Sequence, residues 1–190
     1  MAQASKAAGP SLGVLEIDGL ARGIVAADAA LKKAAVQVLW AGAVTPGKYL
    51  LLLRGEIAEM EEAMAAGAAL ADTLLLDQLL LPQAHSEVWH ALGSPRQLPM
   101  LSVGIVETLG ATAALRGLDA ACKAADVAVA SLQLSRGIGG KGFFTLTGEQ
   151  HSLEAALDAA AGVLGNALVE RQLIARPHPD LTATVLPTLE

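Results

Sequence analysis

The sequence predicts an α+β fold made twice over: two tandem copies of a β-α-β-β-α-β sandwich, each with its helices on one face of a mainly antiparallel sheet. Three observations carry this. A glycine-lysine hairpin tip followed by a short apolar strand occurs at residues 44–56 and again at 135–149. Residues recur in register, 91 positions apart before the tip and 93 after it. The apolar period also switches between strand-like and helix-like in the same order in both halves.

Each element follows from local pattern. In the first copy, residues 12–17 form an apolar strand that contains Glu16. A helix is expected over 21–34, with Leu20, Ile24, Ala27 and Leu31 as its core stripe, because spacings of 4, 3 and 4 keep to one helical face. Residues 36–44 and 48–54 are the hairpin strands, joined by a Pro-Gly turn. A second helix covers 58–71 and a fourth strand 73–81. A short helix at 86–92 precedes the linker G-S-P-R-Q-L-P, marked by two prolines.

The second copy repeats the order. Strands are expected at 103–108, 127–135, 142–147 and 166–174. Helices are expected at 111–125, with the stripe Ala111, Leu115, Leu118 and Cys122, and at 152–164. The stripe of the latter, Leu153, Ala156, Leu157, Ala160, Ala161 and Leu164, is rich in small side chains, so this helix can lie close to a sheet. Residues 176–190 contain three prolines and are expected to run extended over the surface.

The correspondences are specific. Gly13, Glu16 and Gly19 meet Gly104, Glu107 and Gly110; Asp28 and Lys32 meet Asp119 and Lys123. After the tip, Lys48 meets Lys141, Leu80 meets Leu173 and His85 meets His178. A period this long is a duplicated domain rather than a solenoid.

Composition narrows the function. Of the 190 residues, 53% are apolar and only 17% charged, low for the surface of an isolated soluble domain. No run of about 18 uncharged apolar residues exists, so the excess points to protein–protein contact rather than to a membrane. A net charge of −6 and 3% aromatics argue against nucleic acid. The single cysteine, Cys122, excludes an intrachain disulfide and a Cys-rich metal site. The start has no apolar segment of signal-peptide length, so a cytoplasmic protein with a loose N-terminal tail is expected.

Several motifs resemble one family. V-G-I-V-E-T at 103–108, the A-x-x-x-x-D-A-x-x-K helix, G-K before an apolar strand and G-E, and I-A-R-P-H at 174–178 resemble the bacterial microcompartment (BMC) shell domain. Two fused copies resemble its tandem-domain members. The tips T-P-G-K and G-I-G-G-K look closest to the single-disc type of propanediol-utilisation compartments, whose first tip carries an iron–sulfur cluster. The resemblance covers about residues 12–181. It implies a ferredoxin-like fold in each copy, a first BMC domain at 12–92, a linker at 93–101 and a second domain at 102–181, with tails at 1–11 and 182–190.

It also implies a structural role without catalysis: a homotrimeric pseudohexameric tile, packed edge to edge with other shell proteins, both hexamers and pentamers, in the compartment shell of the bacterial cytoplasm. Small metabolites would pass a central pore lined by Val44, Thr45, Pro46 and Gly47 and by Gly137, Ile138, Gly139 and Gly140. Lys32, Lys123, Arg176 and His178 match the family's tile-edge positions. In the first copy Gln83 stands where Arg176 stands in the second, so edge contacts alternate. Thr45 stands where the cluster-bearing relatives have a cysteine. Cluster ligation needs thiolates, so no cluster, and no other cofactor or metal, is expected.

Other readings of these residues are weaker. The tip 137–141 lacks the Walker spacing of a nucleotide loop. His85, His90, His151 and His178 have no metal-ligand spacing, and Cys122 suggests no partner base. Glu16 and Glu107 are equivalents by duplication, which explains them better than acid–base chemistry. The alternative function is an oligomeric module that binds or senses a small metabolite.

Overall fold

The computed structural model describes residues 10–93, 98–99 and 101–184. Most of the expected linker and the outer parts of both expected tails lie outside the described residues. The chain forms two compact units. One holds residues up to Gly42 together with Leu50–Ala84; the other holds Ala43–Tyr49 together with residues from His85 onward.

The first unit contains β1 (Ser11–Ile17), α1 (Leu20–Lys33), most of β2 (Gln37–Val44) and β3 (Lys48–Gly55), α2 (Ile57–Ala71) and β4 (Leu75–Leu81). The sheet order is β2-β3-β1-β4, with β1 antiparallel to β4. A 3-10 turn, Asp72–Leu74, occupies the start expected for β4. The central strand β1 is buried at all seven positions, Glu16 included. Gly13 has a steric reason: a Cβ there would lie 2.5 Å from Met60 Sδ and 2.9 Å from Met64 Sδ of α2.

The core face of α1 is not the expected stripe. Gly23, Ala26, Ala27 and Ala30 are buried. Of the stripe, Ala27 is buried, whereas Leu20, Ile24 and Leu31 are 43%, 59% and 43% exposed. The reason is close helix packing. A Cβ on Gly67 of α2 would meet Leu15 at 2.7 Å and the Ala26 carbonyl oxygen at 3.3 Å, so α1 and α2 approach through their small residues. The helix therefore has two apolar faces, and periodicity does not choose between them.

The second unit contains α3 (Ser86–Gly93), β5 (Ser102–Thr108), α4 (Ala111–Ala124), β6 (Ala128–Leu134), β7 (Gly142–Gly148), α5 (Gln150–Leu164), β8 (Leu168–Ala175) and α6 (Pro179–Thr184). The order is β6-β7-β5-β8, the same topology, with all three pairings antiparallel. A 3-10 turn, Gly165–Ala167, precedes β8. The stripe Ala111, Leu115, Leu118 and Cys122 is buried. So is that of α5, except that Ala161 is half-buried. A Cβ on Gly104 would meet Leu153 at 3.2 Å, so α5 does lie close to its sheet.

Two further elements depart from expectation. The chain beyond Arg176 is not extended throughout, because α6 forms at Pro179–Thr184. Proline suits the first turn of a helix, where its missing N–H has no intrahelical acceptor. And α3, which closes the first repeat in sequence, belongs with the second unit, where it packs on β6 and α4.

Candidate functional site

The two hairpin tips meet within the second unit. The Thr45 amide donates to the Ser135 carbonyl at 3.0 Å. The Gly137 amide donates to Thr45 Oγ1 at 3.2 Å. The first tip closes on itself through Gly47 N–H to the Val44 carbonyl at 2.9 Å. Ser135 is fully buried and has a positive φ of 59°, a strained region for a residue with a side chain. Its hydroxyl donates to the Gly140 carbonyl at 2.8 Å, which anchors it there.

Gly140 must be glycine. Its φ is +84°, and a Cβ would lie 2.9 Å from both Pro46 Cδ and the Thr45 carbonyl oxygen. The second tip is thus pressed against the first. Of the expected pore residues, Thr45, Pro46, Gly47, Gly137, Ile138 and Gly139 are exposed or half-exposed, whereas Val44 and Gly140 are buried. The last two support the lip rather than form its surface in the single chain.

Beside this lip is an open hollow of about 520 Å³, lined by Ala43, Val44, Thr45, Pro46, Gly47, Arg136 and Gly137. Arg136 is the one charged residue among them. Neither Arg136 nor Ser135 is among the residues expected from sequence to line the pore. A serine-arginine pair ahead of a glycine-rich tip was the available signal.

The expected edge residues are all at the surface. Lys32 Nζ pairs with Asp28 at 2.6 Å, and both side chains are well exposed. Lys123 Nζ pairs with Asp119 at 2.5 Å, but this aspartate is buried and also accepts the His85 amide at 2.8 Å. Arg176 is exposed and takes a positive φ of 53°. His178 is exposed, its Nδ1 accepting the Asp180 amide at 3.2 Å.

Among the described residues the titratable groups form separate pairs rather than one cluster. Lys141, just ahead of β7, pairs through Nζ with Glu107 of β5 at 2.8 Å. His85 Nδ1 accepts the Glu87 amide at 3.2 Å, and His90 lies 3.3 Å from Glu87 Oε1. Lys33 is held above its ordinary range by its hydrogen bond to Glu62 and that residue's charge. Among the described residues no group of three or more His, Cys, Asp or Glu could hold a metal ion.

The residues do not fit the iron–sulfur cluster that the resemblance associates with the first tip. Thr45 offers a hydroxyl already engaged by Gly137. Cys122 lies in α4, 4% exposed, its thiol pushed up to about 12 by burial and then by the charges of Glu87 and Asp119. Iron is ligated by accessible thiolates, and this is a buried thiol. Among the described residues no helix is long and apolar enough to cross a membrane.

Comparison with known proteins agrees with this geometry. The BMC domain family matches residues 11–84 and 102–177. The bacterial microcompartment shell protein PduT of Citrobacter freundii is 35% identical over 90% of this chain and 95% of its own. The crystal structure of a microcompartment protein from Desulfitobacterium hafniense DCB superposes with a TM-score of 0.84 at 35% identity, covering 93% of this chain and 99% of that one. The fused permuted hexameric shell protein MSM0275 shares the fold at a TM-score of 0.61 and 21% identity, over 82% and 81% of the two chains. Two matched domains, one after the other, and a relative aligned over nearly its whole length lead to one conclusion: the chain belongs to the BMC domain family, as a tandem-domain shell protein.

Proposed function

We propose that three copies of this chain form a pseudohexameric tile of a bacterial microcompartment shell in the bacterial cytoplasm. The tile has no catalytic role. It packs against other shell proteins, hexamers and pentamers among them, and passes small metabolites through a pore on its axis. The observation that carries the pore is the joined lip: the first tip rests on the second through Thr45, Ser135 and Gly137, with an open hollow beside it. Three such lips around an axis would present hydroxyls, glycine backbone and Arg136 to a passing solute. That surface is polar, with few strong ligands, as a pore that must release what it admits requires.

The edge role of Lys32, Lys123, Arg176 and His178 is part of the same reading. All four are at the surface. The domain limits proposed are those expected from sequence, except that the first tip and α3 act structurally with the second unit. Electron microscopy of the purified protein tests the reading. Threefold particles joined into flat sheets are expected. Discrete particles that never tile, together with saturable binding of a metabolite, would favour the alternative of a ligand-binding module.

A further inference from the structure

The second tip carries a charge that the fold does not neutralise. Arg136 is exposed and is the one charged residue lining the hollow beside the lip. Its carbonyl accepts a hydrogen bond from Gln133 Nε2 at 2.8 Å. Among the described residues its guanidinium has no hydrogen-bond or ion-pair partner. The protein has a net charge of −6, yet none of the described residues lining this hollow is a carboxylate. A second cation stands against the same tip, because a Cβ on Gly140 would lie 3.5 Å from Lys48 Nζ. Lys141, which follows the tip, is held by Glu107 at 2.8 Å.

The backbone adds donors beside this charge. φ is positive at Gly137 (73°) and at Gly139 (65°) but not at Arg136 or Ile138, so its sign alternates over four residues. Alternation of this kind turns successive N–H groups to one side and makes a concavity that holds anions. The Gly137 amide is taken up by Thr45 Oγ1 at 3.2 Å. Among the described residues no acceptor meets the amides of Ile138 and Gly139.

We infer that the second tip is a binding site for a small oxyanion, a carboxylate or a phosphate group, held by the Arg136 guanidinium and the amides of Ile138 and Gly139. A guanidinium presents paired N–H donors that match two oxygens of such a group. The open hollow of about 520 Å³ beside it has room for a small metabolite. Arg136 is open to water, so the attraction is screened and the binding weak, as passage through a pore requires. The site is complete within one chain. That it selects which solutes cross the tile, anions ahead of cations, rests on the pore proposed above.

Inorganic phosphate, added at constant ionic strength to the isotope-labelled full chain and followed through amide chemical shifts, tests it. Saturable shifts at Ile138 and Gly139 are expected. Arg136→Gln alters an exposed side chain and should leave the fold intact. It is expected to raise the phosphate Kd by about tenfold or more, the effect of losing a hydrogen bond to a charged group. Arg136→Lys keeps the charge without the planar fork, so its Kd should fall between those of the parent and Arg136→Gln.

No saturable shift at the tip, or equal affinity in the parent and Arg136→Gln, would overturn the anion site. Native mass spectrometry of the same samples separates that failure from failure of the pore. A trimer that ignores phosphate would overturn the anion site and leave the pore standing. A monomer or dimer that binds phosphate through Arg136 would keep the site and overturn the pore.

Discussion

Ser135 and Thr45 lie 90 residues apart and share a hydrogen bond, Thr45 N–H to the Ser135 carbonyl at 3.0 Å. The buried serine thereby sets the height of the first tip above the second. Its left-handed backbone is held by its own hydroxyl on Gly140, so Ser135, Gly140 and Thr45 act together.

Gly140→Ala should break that arrangement. The added methyl meets Pro46 and the Thr45 carbonyl at 2.9 Å on a backbone with φ +84°. A loss of about 1–3 kcal/mol is expected from strain of this kind. Urea unfolding checks it; a midpoint equal to that of the parent protein would mean that the two tips are free to separate.

Thr45→Cys tests whether three tips converge. Cysteine is close in size to threonine, and three thiolates around one axis can ligate an iron–sulfur cluster. Anaerobic reconstitution should give cluster absorbance. Its absence from a well-folded trimer would place the tips away from the axis.

Lys32→Asp addresses the tile edge. It removes an exposed pair with Asp28 of the kind worth about 0.3–0.5 kcal/mol, so the fold and trimer should persist. Sheet formation seen by electron microscopy should fail. Normal sheets would remove Lys32 from the edge.

Cys122 gives a pH dependence. Its folded thiol, pushed up to about 12, lies above the ordinary value of 9.0. The unfolded chain therefore loses this proton first as pH rises. The contribution to stability is full below pH 9.0 and falls as pH climbs toward 12. Cys122→Ala should unfold with a shallower alkaline loss. With Ellman's reagent at about pH 8, below the ordinary thiol range, the native protein should stay silent and the denatured chain should release one thiol. Rapid reaction of the native protein would show that the α4 face is open.

Much of the fold was legible because the chain states it twice. Gly13 and Gly104 recur as one of the correspondences that mark the duplication, and in both copies the structure finds a helix pressed against the central strand at that position. What stayed hidden depends on contacts between residues far apart in sequence. Leu20, Ile24 and Leu31 have good helical spacing, but the small-residue face of α1 packs instead, since only it admits α2 so closely. The pairing of Lys141 with Glu107 needs the register of β5 on β7. Arg136 lines the hollow only because the first tip folds beside it, a contact between residues about 90 positions apart. For α6, three prolines suggested an extended tail, while the His178 turn that starts the helix repeats one already present at His85.

Native mass spectrometry of the purified protein is the measurement to make first. Each chain is 19.3 kDa, and a particle of three chains with no added mass is expected. A monomer, a dimer, or a trimer carrying a bound small molecule would contradict the shell tile and favour the ligand-binding module.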